Sequence, residues 1–129
     1  MTEIPKELLY TKNHEWVKKE ADGTCKIGLT DHAQSALGDL VFVDMPAIDT
    51  EVKAEAECCT VESVKAASDV YAPISGKITA INDQLEGTPN LVNSDPYGDG
   101  WLFSIAPSNP DELSKLLSAD DYAKLEEEE

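Results

Sequence analysis

One amine stands apart in this sequence. Between Cys58 and Gly76 the chain reads "CCTVESVKAASDVYAPISG", and Lys65 is the single cation between Lys53 and Lys77. A lysine amine is either a hydrated point charge or, once neutral, a nucleophile that can be acylated. Solvent-facing turns usually draw on Asn, Gly, Asp and Pro. Here the neighbours are Val64, Ala66 and Ala67, small or apolar residues that leave the amine open to a modifying enzyme. From local composition alone both readings stand, the solubilising charge and the accessible amine.

The other reactive groups are less well placed. Cys25, Cys58 and Cys59 make an odd number in a chain with no export signal, which argues for free thiols. Consecutive residues on a strand point to opposite faces, so a Cys58–Cys59 bridge requires a distorted backbone. A thiol redox enzyme needs Cys-x-x-Cys or a basic setting, whereas Glu55, Glu57 and Glu62 surround this pair. Cys58 and Cys59 lack metal-ligand spacing, and His14 and His32 form neither HExxH nor His-x-x-x-His.

Charge narrows the partners. There are 26 acidic residues against 10 basic ones, all lysine, for a formal charge of −16. Nucleic acid and anionic membrane surfaces are disfavoured, and proteins with basic docking faces are favoured. No run reaches the roughly 18 apolar residues of a membrane span. "MTEIPKELLY" has neither the layout of a signal peptide nor that of an Arg-rich transit sequence, so a cytoplasmic protein is expected.

The elements that must position Lys65 are mostly strands. Glu15–Lys19 and Thr24–Leu29 flank Asp22-Gly23, a hairpin signal of the type in which both central residues take positive φ. "TDHAQSALG" reads as a short helix with Thr30 or Asp31 as its N-cap and Gly38 in the left-handed position at its end. "DLVFVDM", "TEVKA", "CCTVESV", "SDVYAPI" and "GKITAIN" then read as strands between Pro and Gly turns, a small β sandwich or barrel. "VFV" and "VYAPI" should supply the core, with Trp16, Trp101 and Phe103 its largest pieces. Val43 and Pro46 recur as Val70 and Pro73, a faint repeat that puts Lys65 on the hairpin between two similar halves. A helical turn is expected at Asp83–Glu86 and a strand at Trp101–Ala106. The tail carries Leu113, Leu116, Leu117, Tyr122 and Leu125 at helical spacing, with Asn109 or Ser118 as caps.

"VESVKAASDVYAPISG" resembles the lipoyl-attachment signature of the glycine cleavage H-protein family. "HEWV" at His14–Val17, "IGLTDHAQSALGDLVFVDMP" at Ile27–Pro46 and "NDQLEGTPNLVNSDPYGDGWLF" at Asn82–Phe103 resemble it in the same order and spacing. The resemblance implies a mainly β, lipoyl-type barrel-sandwich hybrid with short helices added near residues 30–37 and at the C-terminus. It implies one lipoyl-carrier domain over residues 1–129, with a core at about 8–106 and a helical segment at about 109–126. Lys65 then matches the lysine that bears lipoate through an amide. Glu62 matches the acid that the lipoylating enzyme reads, and Gly76 the glycine of the facing turn. Val64 and Ala66 flank the lysine and give the arm clearance.

The implied role is a carrier without an active site of its own. A pyridoxal-phosphate glycine decarboxylase would load the arm with an aminomethyl group, an aminomethyltransferase would pass the carbon to tetrahydrofolate, and dihydrolipoamide dehydrogenase would reoxidise the dithiol. A monomer is expected, with the arm resting in a surface cleft for which Glu15, His32, Ser68 and Asp69 are candidates. The alternative is an H-like carrier that relays lipoate to other lipoyl-dependent enzymes. A lipoyl domain of a 2-oxo acid dehydrogenase would carry Asp-Lys-Ala and long Ala/Pro linkers, and a biotinyl domain would place Met on both sides of the lysine. Neither fits Val64-Lys65-Ala66. Two departures from the family pattern are Asp49 in place of glycine and the Cys58-Cys59 pair in place of small apolar residues.

Overall fold

The computed structural model describes residues 4–128. Strand β1 (Leu9–Tyr10) pairs with β2 (Glu15–Lys19), and β2 with β3 (Cys25–Leu29), all antiparallel. The turn between β2 and β3 differs from expectation in one respect. Gly23 takes positive φ, at 92°, but Asp22 does not. Gly23 N–H donates to the Glu20 carbonyl at 3.1 Å and Glu20 N–H to that of Thr24 at 2.8 Å. This is a three-residue loop ending in a glycine with positive φ. Asp22 Oδ1 stabilises it by accepting from the Thr24 amide and hydroxyl at 3.0 and 2.6 Å.

Helix α1 (Asp31–Leu37) starts where the capping chemistry predicts. Thr30 Oγ1 accepts from Ala33 N–H at 3.2 Å, which makes Thr30 and not Asp31 the cap. Gly38 ends the helix with φ 83° and ψ −168°. That is not the left-handed well but an extended region that essentially only glycine enters.

The remaining elements are β4 (Leu40–Asp44), β5 (Glu51–Val52), β6 (Glu57–Ser63), β7 (Ala67–Tyr71), β8 (Gly76–Ile81), α2 (Gln84–Gly87), α3 (Leu91–Ser94), β9 (Phe103–Pro107), a 3-10 segment (Pro110–Lys115) and α4 (Ala119–Glu128). One sheet has the order β1-β2-β3-β9-β8-β5 and the other β4-β6-β7. The two strands of the faint repeat, β4 and β7, are the outer strands of the smaller sheet, and both pair with β6. Asp49 adopts φ 74° where the family pattern has glycine. Its amide donates to the Ile78 carbonyl at 2.7 Å, tying that turn to β8.

The core lies between the sheets. Val17, Ile27, Phe103 and Ile105 from the larger sheet meet Val43, Val61 and Val70 from the smaller one. Each such side chain contributes about 1.5–3 kcal/mol on burial. A second cluster of Leu8, Tyr10, Trp16, Ala119 and Tyr122 fastens α4 to β1 and β2. The Tyr10 and Tyr122 rings stack at 4.7 Å. Asn109 caps the 3-10 segment and Ser118 the start of α4.

Two core assignments are corrected. In "VFV" only Val43 is buried, while Val41 and Phe42 are 55% and 51% exposed. A register shift between Leu40 and Phe42 seats one extra residue opposite β6, so two neighbours face outward between inward-facing Leu40 and Val43. Trp101 is half-buried and lies under the Lys26 amine, which is 5.0 Å from the ring centroid. Beside the β9 strand expected at Trp101–Ala106, which starts at Phe103, the short β1 and α3 were not foreseen.

Candidate functional site

Lys65 occupies the turn between β6 and β7, and Ser63 builds that turn. Ser63 Oγ accepts from the amides of Lys65 and Ala66 at 3.2 and 3.1 Å and donates to the Ala66 carbonyl at 3.1 Å. Ser63 N–H also donates to the Ala66 carbonyl at 2.8 Å. A short hydroxyl side chain thus does what a turn residue usually does, and Val64, Lys65 and Ala66 are free to point outward. All three are exposed. Val64 N–H donates to the Asp39 carbonyl at 3.0 Å, which fastens the tip to the junction of α1 and β4.

That junction is itself braced. Asn93 on α3 donates to the Gly38 carbonyl at 2.8 Å and accepts from Leu40 N–H at 2.9 Å. The Lys65 side chain lies across Gly38, where an added Cβ would stand 3.3 Å from Cε and 3.7 Å from Nζ. The missing side chain is therefore the bed on which the lysine lies. Among the described residues no ion pair holds its amine. Glu62 is exposed on the outer face of the small sheet, between Phe42 on β4 and Ala67 on β7.

A groove of about 170 Å³ opens beside this tip, with Leu37 and Ala33 of α1 on one wall and Ser68 and Asp69 of β7 on the other. Two of the four cleft candidates, Ser68 and Asp69, therefore share a cavity. His32 does not line it, but its ring stacks at 4.4 Å on His14, which does. His14 sits at φ 68°. Its Nδ1 is 2.7 Å from the Tyr122 hydroxyl, which is also 2.7 Å from Thr30 Oγ1.

Glu15 is 1% exposed and lines another cavity of about 350 Å³, which has Asn13 as a lining residue in common with the groove. Burial raises its carboxyl to about 7, against the opposing pull of hydrogen bonds from Tyr71 N–H and the Thr11 hydroxyl, both at 2.9 Å. Gly76 is not brought to the lysine turn. It lies past the far end of β7, paired with Val52 and Pro107 in the larger sheet. Its φ is not positive; an added Cβ would strike the Ala106 carbonyl and the Ile105 side chain. Close strand approach, not turn conformation, is what requires glycine there.

The environment of the thiols disfavours their thiolate forms. Burial, reinforced by the Glu15 and Glu57 carboxylates, pushes Cys58 up to about 12. Burial also raises Cys25 and Cys59. All three are free. In the sequence Gly38 reads only as a helix end and His14 only as a failed metal ligand, and Ser63, Asn93 and Asn13 have no assigned role at the site. Only Ser63 carried a signal, a hydroxyl two residues ahead of the lysine where it can close a turn.

The comparisons with known proteins agree with this geometry. The family model described as glycine cleavage H-protein matches residues 8–129. The glycine cleavage system H protein of Salmonella arizonae is 56% identical over 129 residues, covering all of both chains. That of Pseudoalteromonas translucida is 55% identical over the same span. The crystal structure of a glycine cleavage system H protein from Mycobacterium marinum, 40% identical, superposes with a TM-score of 0.87 over 96% of this chain and 99% of the other. With a matching sequence along its length and a matching fold, this chain belongs to the glycine cleavage H-protein family.

Proposed function

We propose that this protein is the lipoyl-bearing shuttle of the glycine cleavage system. It carries the aminomethyl group from glycine decarboxylase to the aminomethyltransferase on a lipoyl-Lys65 arm and is reoxidised by dihydrolipoamide dehydrogenase. It is a substrate and carrier for those enzymes and for the lipoylating enzymes, working as a cytoplasmic monomer and one lipoyl-carrier domain. The observation that carries this reading is the Lys65 turn, braced in its backbone, exposed at its tip and holding an amine that no carboxylate of the described residues engages.

The residues present fit lipoate. The amine projects from a braced tip, and the glycine beneath it leaves room for the lysine stem. Once attached, lipoate would supply a disulfide that accepts two electrons and a sulfur that can carry a carbon substituent. Ser63 and the Asp39 carbonyl hold the attachment point still, so that the reach of the arm and not the motion of the turn sets its sphere of action. Glu62 presents a carboxylate to the lipoylating enzyme. Ser68 and Asp69 supply polar contacts in the groove beside the arm. The acidic surface steers the carrier to basic faces on several enzymes without tight binding.

The test is intact mass followed by reconstitution. Incubation with a lipoate ligase, ATP and lipoate should add one lipoyl increment to the wild type and none to Lys65→Arg. With the three partner enzymes, the lipoylated wild type should support glycine cleavage and Lys65→Arg should not. A Lys65→Arg protein that still supports it would overturn the assignment. A lipoylated protein that fails in glycine cleavage yet donates lipoate to other enzymes would favour the relay.

A further inference from the structure

Three of the four large apolar side chains that the described residues leave exposed belong to one region. Val41 is 55% exposed, Phe42 51% and Val64 67%. Phe42 is the cross-strand partner of Glu62, and Val64 hydrogen-bonds to Asp39, two residues before Val41. The bulge after Leu40 turns Val41 and Phe42 outward, against the alternation a regular strand would impose. Carboxylates edge the patch. Asp39, Asp44, Glu62 and Asp69 are all exposed, and the Asp69 carboxylate raises that of its neighbour Glu57 by repulsion. Apolar area edged by one sign of charge is a docking surface for the opposite sign.

We propose that this patch, Phe42 at its centre with Val41 and Val64, docks the enzyme that acylates Lys65, which presents an apolar depression ringed by lysine or arginine. This rests on the reading of Lys65 as the lipoyl site and adds the surface by which it is found. The position of the amine selects this occupant. Lys65 Nζ lies over Gly38, at the root of β4. In its neutral form the amine attacks the acyl carbon of an activated lipoyl donor, a mixed anhydride or thioester. The amide C–N bond forms, the bond from the acyl carbon to the leaving group breaks with its electron pair, and the amine proton passes to solvent. No electron is transferred. An acyl carbon at bonding distance from Nζ forces the enzyme's surface onto the start of β4 and the Val64 tip. Enzymes that act at the far end of a completed arm stand off from both.

The experiment compares lipoate attachment to the apo protein with later steps. Phe42→Ser and, separately, Val41→Ser are lipoylated by a lipoate ligase with ATP and lipoate, and incorporation at Lys65 is followed by intact mass. For each variant KM should rise about tenfold or more with kcat unchanged, the loss expected when an apolar anchor leaves a docking surface. The same variants, driven to full lipoylation with excess ligase, should be reduced at the wild-type rate by NADH through dihydrolipoamide dehydrogenase, run in the reverse of its reoxidising direction. Because both side chains are about half exposed, circular dichroism should match the wild type.

Wild-type lipoylation kinetics in folded Phe42→Ser and Val41→Ser would overturn the proposal. So would an equal loss in lipoylation and in dihydrolipoamide dehydrogenase turnover, which would mark a general docking face. A wild-type dimer in sedimentation that either variant dissolves would assign the patch to a second copy instead. A wild type that gains lipoate at a residue other than Lys65, or at none, would refute the functional reading itself, an outcome distinct from all of these.

Discussion

Replacing Glu15 with glutamine should remove a pH dependence from the stability of the fold. Glu15 is 1% exposed, and its carboxyl titrates at about 7 in place of the usual 4.5. A carboxyl raised by burial favours the fold while it is protonated and disfavours it once ionised. Its contribution is therefore complete below the unfolded value and is lost as pH rises through 7. At about 1.4 kcal/mol per tenfold, the loss amounts to about 3 kcal/mol between pH 4 and 8. Glutamine keeps the size of the side chain and an oxygen for Tyr71 N–H or the Thr11 hydroxyl, and it cannot ionise. Urea unfolding should show the wild type losing about 3 kcal/mol over that range relative to Glu15→Gln. Subtracting the variant removes the common background of a chain with 26 carboxylates. Parallel pH profiles for the two proteins would mean that Glu15 ionises freely in the fold, and the burial argument would fail.

Gly76→Ala should destabilise by about 3 kcal/mol or more, because its Cβ meets the β9 backbone, which cannot swing aside as a side chain would; a urea midpoint near the wild type would refute the close approach. Cys58, raised to about 12, should react with a disulfide reagent at pH 8 far more slowly than an unperturbed thiol, and denaturant should restore the rate. Tyr122→Phe should lose about 1–2 kcal/mol, since one hydroxyl serves both His14 Nδ1 and Thr30 Oγ1. Aminomethyl transfer at sub-saturating carrier should slow as salt rises, because a formal charge of −16 steers encounter through a screened field. A salt-independent rate would remove charge steering from the picture.

Much of what surrounds Lys65 was legible along the chain because the forces are local. Thr30 and Gly38 bound α1 through groups within a turn of its ends, and Asp22-Gly23 closes the β2–β3 hairpin through contacts two to four residues apart. Asp49 keeps a positive φ because a short polar side chain tolerates it, a property of one residue. The isolation of Lys65 among small neighbours is likewise a fact of sequence, and the turn between β6 and β7 carries it as expected.

Tertiary structure decided what depends on register and on distant partners. The apolar run "VFV" reads as core, and a single bulge against β6 turned Val41 and Phe42 outward. The need for glycine at position 76 comes from β9, some thirty residues away in sequence, and not from its own turn. Glu15 is a cleft candidate along the chain, but its burial comes only when β7 closes over it with the Tyr71 amide. His14, Thr30 and Tyr122 meet only because α4 packs back on β1. Turn and cap propensities act over a few residues, so the sequence by itself determined where the chain bends and which amine it leaves alone. Burial, groove and docking patch follow from which strands lie side by side, and that is settled only when the two sheets close on a common core.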